Sequence, residues 1–153
     1  MRVSELMTSP AVTAAPATSL RDVARLMNEH DVGAVVMTES GFPTGIVTDR
    51  DLALRVLSGG LDPDSPVSAA MSSPVITVDV NGGAQEAYRV FRRRGVRRLP
   101  VLDGRQVIGV LTVDDMFMDV FRRMADLLGG PIAWSVLEEP PGPPGQGACP
   151  DTP

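Results

Sequence analysis

Apolar residues recur along the chain with two alternating periods. Leu20, Val23, Ala24 and Met27 stand at i, i+3, i+4 and i+7, the spacing that gives an α-helix one apolar face. Ala84, Ala87, Tyr88 and Phe91 do the same further on. Thr18 or Ser19 is predicted to cap the first helix and Asn81 the second. A short β-branched run precedes each helix, at 10–13 and 74–78, and predicts a strand. Two more strands are predicted after each: 33–37 with 44–47, and 97–102 with 107–111. The connections ESGFP and DGR between them have hairpin chemistry. A second helix is predicted from Asp49 and from Val113. Its apolar face is Leu52, Ala53, Val56 and Leu57 in the first case, and Met116, Phe117, Val120 and Phe121 in the second.

The two series are one series written twice. Sliding the chain by 64 residues aligns 3–52 with 67–116 without a gap and gives 11 identities, where average composition gives about 3 by chance. Val3 falls on Val67, Met7 on Met71, Ser9-Pro10 on Ser73-Pro74, Gly45 on Gly109, Thr48 on Thr112 and Asp51 on Asp115. Each half reads β-α-β-β-α. A unit of roughly 60 residues buries too little of itself to stand alone with ease. Two such units are therefore expected to pack on each other's sheets. The expected fold is α+β: two repeats, 1–62 and 63–125, related by a pseudo-twofold axis. The Gly, Pro and Asp-rich SGGLDPDSP (58–66) is read as their linker. An extension covers 126–153. It offers Ile132, Trp134, Val136 and Leu137 for burial, with Trp134 as a packing anchor. From about residue 139 it is rich in Pro and Gly, a composition expected to stay disordered.

Composition narrows the function. The formal net charge is −5 and all 14 basic residues are arginine, with a pI near 4.8. That argues against a general nucleic-acid binder. The lone cysteine, Cys149, excludes an intrachain disulfide and a cysteine-based zinc site. The start MRVSELMTSP has no signal-like apolar stretch. No run of about 18 apolar residues predicts a membrane span. A cytoplasmic protein with no membrane partner is the expectation.

The duplicated GIVTDRD and GVLTVDD carry the candidate chemistry. One reading is a helix capping box, with Thr and Asp answering each other across the first turn. The other is a nucleoside site. Free N–H groups at a helix start suit phosphate oxygens. A first-turn aspartate can accept from two adjacent ribose hydroxyls. A glycine such as Gly45 lets a flat ring approach the strand.

Together with MTSPAVT and MSSPVIT, and with EHDVGAVVM and RRGVRRLPVLD, these motifs resemble the CBS-domain family. A pair of such units is a Bateman module. The resemblance covers about residues 1–125, and among stand-alone members it points to the small two-CBS proteins of the hypoxic-response type. It implies adenosine-ligand sensing, with AMP, ADP, ATP, S-adenosylmethionine or NAD(H) held between the two units. It also implies a homodimer through the second helix of each unit. Carried over by position, one site takes Thr112 and Asp115 with Thr18, Val32, Gly33 and Ala34. The other takes Thr48 and Asp51 with Val78, Val96, Arg97 and Arg98, and Arg50 stands where a phosphate-holding basic residue is often found. The pattern departs from itself at Gly82, which replaces Thr18, and at Asp114, which replaces Arg50. Like charge at Asp114 opposes phosphate, so the Arg50–Arg97 site is read as the better phosphate site.

The remaining features have plain readings. Six arginines crowd into RVFRRRGVRR (89–98), either as a solvated helix end or as phosphate ligands. His30 sits at a helix end, and Met71 and Met116 read as core. The pairs Asp49/Asp51 and Asp114/Asp115 lack the further ligands a dedicated metal site needs. No nucleophile or base constellation is visible. The chain is read as a regulatory binding module that needs no cofactor and acts on another protein. The rivals are a structural homodimer with empty clefts and a nucleotide hydrolase using the paired aspartates.

Overall fold

Two three-stranded sheets organise the protein, and a computed structural model describes them over residues 1–129. In the first repeat β1 (Thr13–Ala14) leads into α1 (Leu20–His30), then β2 (Ala34–Glu39), β3 (Phe42–Thr48) and α2 (Asp49–Leu52), which continues as a π-helix over Ala53–Ser58. The second repeat gives β4 (Val78–Asp79), α3 (Ala84–Arg94), β5 (Arg98–Asp103), β6 (Gln106–Thr112) and α4 (Val113–Leu127). Strand orders are β1-β2-β3 and β4-β5-β6. Each has a parallel pair across the helix and an antiparallel hairpin. The registers obey the 64-residue offset: Ala34 faces Thr48 and Arg98 faces Thr112. Even the ladder irregularity recurs, at Met37/Thr38 and Val101/Leu102. Met1–Met116 form one compact unit and the chain from Phe117 a second. The expectations for Ile132, Trp134, Val136, Leu137, Cys149 and the end of the chain lie outside the described residues.

The hairpins follow from their turns. Ser40 and Gly41 both have positive φ, 52° and 79°, the backbone of a two-residue I′ turn. Helix α1 starts at Ser19, whose hydroxyl accepts from the Asp22 N–H at 3.1 Å. Asn81 does not cap α3. Gly83 stands at that position with no side-chain bond, and the Asn81 N–H turns back to Asp79 Oδ1 at 2.8 Å. The double glycine carries the chain two residues past Asn81 before the helix begins.

The leading segments cross over between the repeats. Val67, Ala70 and Met71 belong by sequence to the second repeat, yet they pack with Leu20, Val23, Val35 and Val47 of the first. Val3, Leu6 and Met7 pack in turn with Phe91, Leu99 and Leu111 of the second. Backbone bonds fix the exchange. Thr8 bridges Val110 and Ser72 bridges Ile46; Arg2 bridges Gly83 and Pro66 bridges Ser19. The crossing segments also serve helix ends, where the first N–H groups lack partners. The Leu20 and Arg21 N–H groups donate to the Ser65 and Pro63 carbonyls at 3.0 and 2.9 Å, and the Ala84 N–H donates to Met1 at 3.1 Å. The 58–66 connection is therefore bound to α1 along part of its length. An exposed Arg21–Asp64 ion pair at 2.9 Å joins them as well, and the hydrogen bond from Arg21 holds the Asp64 carboxyl below its usual range.

This exchange shortens β1 and β4 against expectation. The Ala11 N–H still donates to Ile108 of the second repeat, at 3.3 Å. The Val12 carbonyl already accepts from Val36 of the first, at 3.0 Å. The run changes partner in its middle, so only its last residues join a strand of their own sheet.

Candidate functional site

Each hairpin ends at a threonine that turns directly into a helix. Thr48 donates from its N–H and its Oγ1 to Asp51 Oδ2, both at 2.9 Å, and accepts at Oγ1 from the Asp51 N–H at 3.2 Å. Thr112 and Asp115 repeat the geometry at 2.8, 2.8 and 3.0 Å. The capping box is thus real in both copies. It commits only one carboxylate oxygen. Oδ1 of Asp51 and of Asp115 makes no hydrogen bond among the described residues, and both side chains are half-buried. A carboxylate held in that way keeps an acceptor for a ligand hydroxyl.

The residues before the hairpins lie beside these turns. The Asp49 N–H donates to the Gly33 carbonyl and the Val113 N–H to the Arg97 carbonyl, each at 3.1 Å. Gly33 and Ala34 are thus backbone neighbours of Thr48, and Arg97 and Arg98 of Thr112. The two groups meet across the repeats through Arg98. A Cβ placed on Gly33 would lie 3.2 Å from Arg98 Nη2 and 3.2 Å from Asp49 Oδ2. The guanidinium therefore reaches from the second sheet into the space beside the first Thr–Asp turn. It is half-buried and forms no ion pair among the described residues. Arg50 and Arg97 are exposed. The first turn thus has Arg50 on its helix and Arg98 at its side, whereas the second has Asp114 beside Asp115.

Other candidate residues have structural duties too. Val32 packs on the first core; Val78 and Val96 pack on the second. The Thr18 carbonyl accepts from the Val67 N–H at 2.7 Å, which ties it to the crossing segment. At Gly82 a Cβ would sit 3.0 Å from the Asp79 carbonyl, so the loss of the threonine there accompanies a tighter turn. The reading of Gly45 as room for a ring is corrected: a Cβ there would meet Met71 side-chain atoms and, at 3.1 Å, the Ser72 carbonyl. Gly109 is pressed likewise by Met7 and by the Thr8 carbonyl at 2.8 Å. These glycines admit the crossing segments. Asp49, weighed from the sequence only as half of a metal pair, brings Oδ2 to the same point beside Gly33 that Arg98 reaches.

A cavity of about 820 Å³ opens between α1 and α2, against Leu20, Met27, Leu52 and Val56, with Arg21, Arg25 and Asp49 also on its wall. Among the described residues no three or more His, Cys, Asp or Glu groups gather as for a metal, and no helix is long and apolar enough to cross a membrane.

A family model described as "CBS domain" matches the chain twice, at residues 3–58 and 67–122. The CBS domain-containing protein YhcV of Bacillus subtilis is 33% identical over 114 residues, covering 74% of this chain and 81% of its own. A crystal structure of Hypoxic Response Protein I with two coordinated zinc ions superposes with a TM-score of 0.69 at 28% identity, over 77% of this chain and 98% of that one. A CBS domain protein of Pyrobaculum aerophilum, PAE2072, complexed with AMP, superposes at 0.70 and 28%, over 80% and 99%.

Proposed function

The chain belongs to the CBS-domain family, and on that premise we propose that it is a regulatory module that binds an adenosine nucleotide at the first Thr–Asp turn and passes the occupancy to a partner protein. The observation that carries this is Arg98. A half-buried guanidinium without an acid partner among the described residues stands by Gly33 at the start of the helix whose Asp51 keeps one carboxylate oxygen free. The two groups supply what a nucleotide needs: a cation for phosphate and an acceptor for ribose hydroxyls. As the resemblance implies, Val78, Val96, Arg97 and Arg50 go with this cleft, and Thr18, Val32, Gly33 and Ala34 go with Thr112 and Asp115 in the other, although Gly33 and Arg97 bond through the backbone to the helix start of their own repeat. AMP in the Pyrobaculum relative supports the ligand class, with ADP, ATP, S-adenosylmethionine and NAD(H) as its other members. Occupancy acts by favouring one packing of the repeats over another. The reading is of a binding protein of the cytoplasm, not an enzyme.

A thermal-shift series against adenosine, AMP, ATP, S-adenosylmethionine and NADH tests it. A ligand at 100 times its dissociation constant stabilises the wild type by about 2.7 kcal/mol. Asp51→Ala also removes the acid half of the capping box, so the readout is the ligand-induced shift within each variant. Asp51→Ala is expected to lose most of it and Asp115→Ala less. Arg98→Ala and Arg50→Ala are expected to weaken AMP and ATP more than adenosine. If nothing shifts the wild type at millimolar ligand, the structural dimer with empty clefts replaces this reading.

The second helices carry the proposed homodimer. Leu57 of the α2 continuation is 86% exposed, and α4 exposes Phe117 at 66% and Leu127 at 86%. Apolar side chains left open in such number mark an interface. Light scattering at micromolar concentration is expected to give a dimer mass, and Phe117→Asp with Leu57→Asp a monomer. A wild type that scatters as a monomer removes this part of the proposal.

A further inference from the structure

The outer face of α3 holds charge that neither the fold nor the clefts use. Ala87 and Phe91 are buried, so Arg89, Arg92 and Arg93 fall on the opposite side at helical spacing. Tyr88, the chain's only tyrosine, is 54% exposed at the edge of that side, next to Arg92. A shallow groove of about 470 Å³ runs against Glu86, Arg89, Val90, Arg93 and Arg94. None of the Arg89, Arg92, Arg93 and Arg94 side chains makes a hydrogen bond or an ion pair among the described residues. The arginines that do form ion pairs lie elsewhere: Arg21, Arg25 and Arg123.

Cations in the last turn of a helix gain from its dipole, which accounts for Arg92, Arg93 and Arg94. It does not account for Arg89, a turn earlier, or for an exposed tyrosine. Close like charges on one helix cost stability. Arginine and tyrosine are also the side chains most enriched where proteins bind proteins.

We propose that the α3 face is a docking surface for an acidic segment of a partner protein. The segment's carboxylates meet Arg89, Arg92 and Arg93, and an apolar side chain rests on Tyr88. Charge decides the partner. The patch spans one helix of 11 residues, about 16 Å at 1.5 Å per residue. Outside 89–98 the chain has only 8 arginines against 19 acids. A short acidic segment fits within that length, whereas a nucleic acid running past it meets net negative charge. Glu86, the one acid in the groove, sits at its N-terminal end, so the partner's acids lie toward Arg93 and Arg94. Through Gly95, where φ is 64°, α3 runs on to Arg98, so the surface and the first cleft share one stretch of chain. The docking surface itself does not depend on any ligand in the clefts.

The test uses the full chain and two fluorescent probes of equal charge: a peptide alternating glutamate with leucine, and a single-stranded oligothymidylate. Fluorescence anisotropy is expected to show peptide binding at low salt that weakens as salt rises through about 0.15 M. Arg89→Glu with Arg93→Glu is expected to weaken it about tenfold or more, a cooperative melt showing that the variant is folded. Tyr88→Ala is expected to lower peptide affinity several-fold and leave the oligonucleotide unaffected. Arg55→Glu, on an exposed arginine of the first repeat, is the control that binds as wild type. No peptide binding, or equal binding by the charge-reversed protein, overturns the proposal. Tighter binding of the oligonucleotide than of the peptide overturns it in favour of a nucleic-acid surface.

Discussion

Residues 1–62 produced alone are expected to stay unfolded, and so are residues 63–129. The first piece keeps Leu20, Val23, Val35, Met37 and Val47 but loses Val67 and Ala70 from the same core. The second keeps Leu99 and Leu111 and loses Val3. Each also loses the carbonyls that satisfy its first helix: those of Pro63 and Ser65 for α1, and that of Met1 for α3. A piece of this size has little stability in reserve. Mixing the two is expected to restore structure, because each carries the segment the other needs. Circular dichroism and amide spectra of each piece alone and of the mixture give the answer. Cooperative melting of either piece by itself means that the crossing segments are not needed.

Val67→Asp is expected to cost more than about 4 kcal/mol, the range reached when a core position receives an unpaired charge. Val67 is wholly buried, and no cation is buried near it to answer a carboxylate. Set against a typical total of about 5–15 kcal/mol, this lowers the melting temperature by more than about 10 °C. Ser68→Asp, one residue along and exposed, is expected to melt with the wild type. The damage from Val67→Asp falls on the first repeat, so amide exchange is expected to open β2 and β3 before β5 and β6. A Val67→Asp protein that melts within a degree or two of the wild type contradicts the burial seen here.

Most of the fold was legible because most of it is local. The 3.6-residue period at Leu20, Val23 and Met27, the turn at Ser40-Gly41 and the starts at Asp49 and Val113 are written in neighbouring residues. The 64-residue offset then fixed the second copy from the first. The exchange was not legible. Val3, Leu6 and Met7 look the same whichever core they enter, and no spacing rule says which one. Asn81 misled because a good capping residue directly before a glycine pair still lets the chain move on to Gly83. For the candidate site, the sequence located both Thr–Asp turns and the Arg50/Asp114 difference. It could not assign the bonds of Asp51, which serves the cap with one oxygen and leaves the other open. Nor could it tell that Gly45 makes room for Met71 instead of a ring.

The crossing segments also bear on how the two halves can diverge. Leu20 of α1 shares its core with Ala70; at the matching places the second half has Ala84 on α3 and Leu6 from the first half's lead. The large residue lies on the helix in one core and on the visiting segment in the other, so the combined volume is kept. Each core is encoded in both halves, so a change of volume in one half is felt by side chains of the other. A leading segment moved to its own repeat would bring Leu6 to the place that Ala70 fills beside Leu20, and overpacking of that size costs stability.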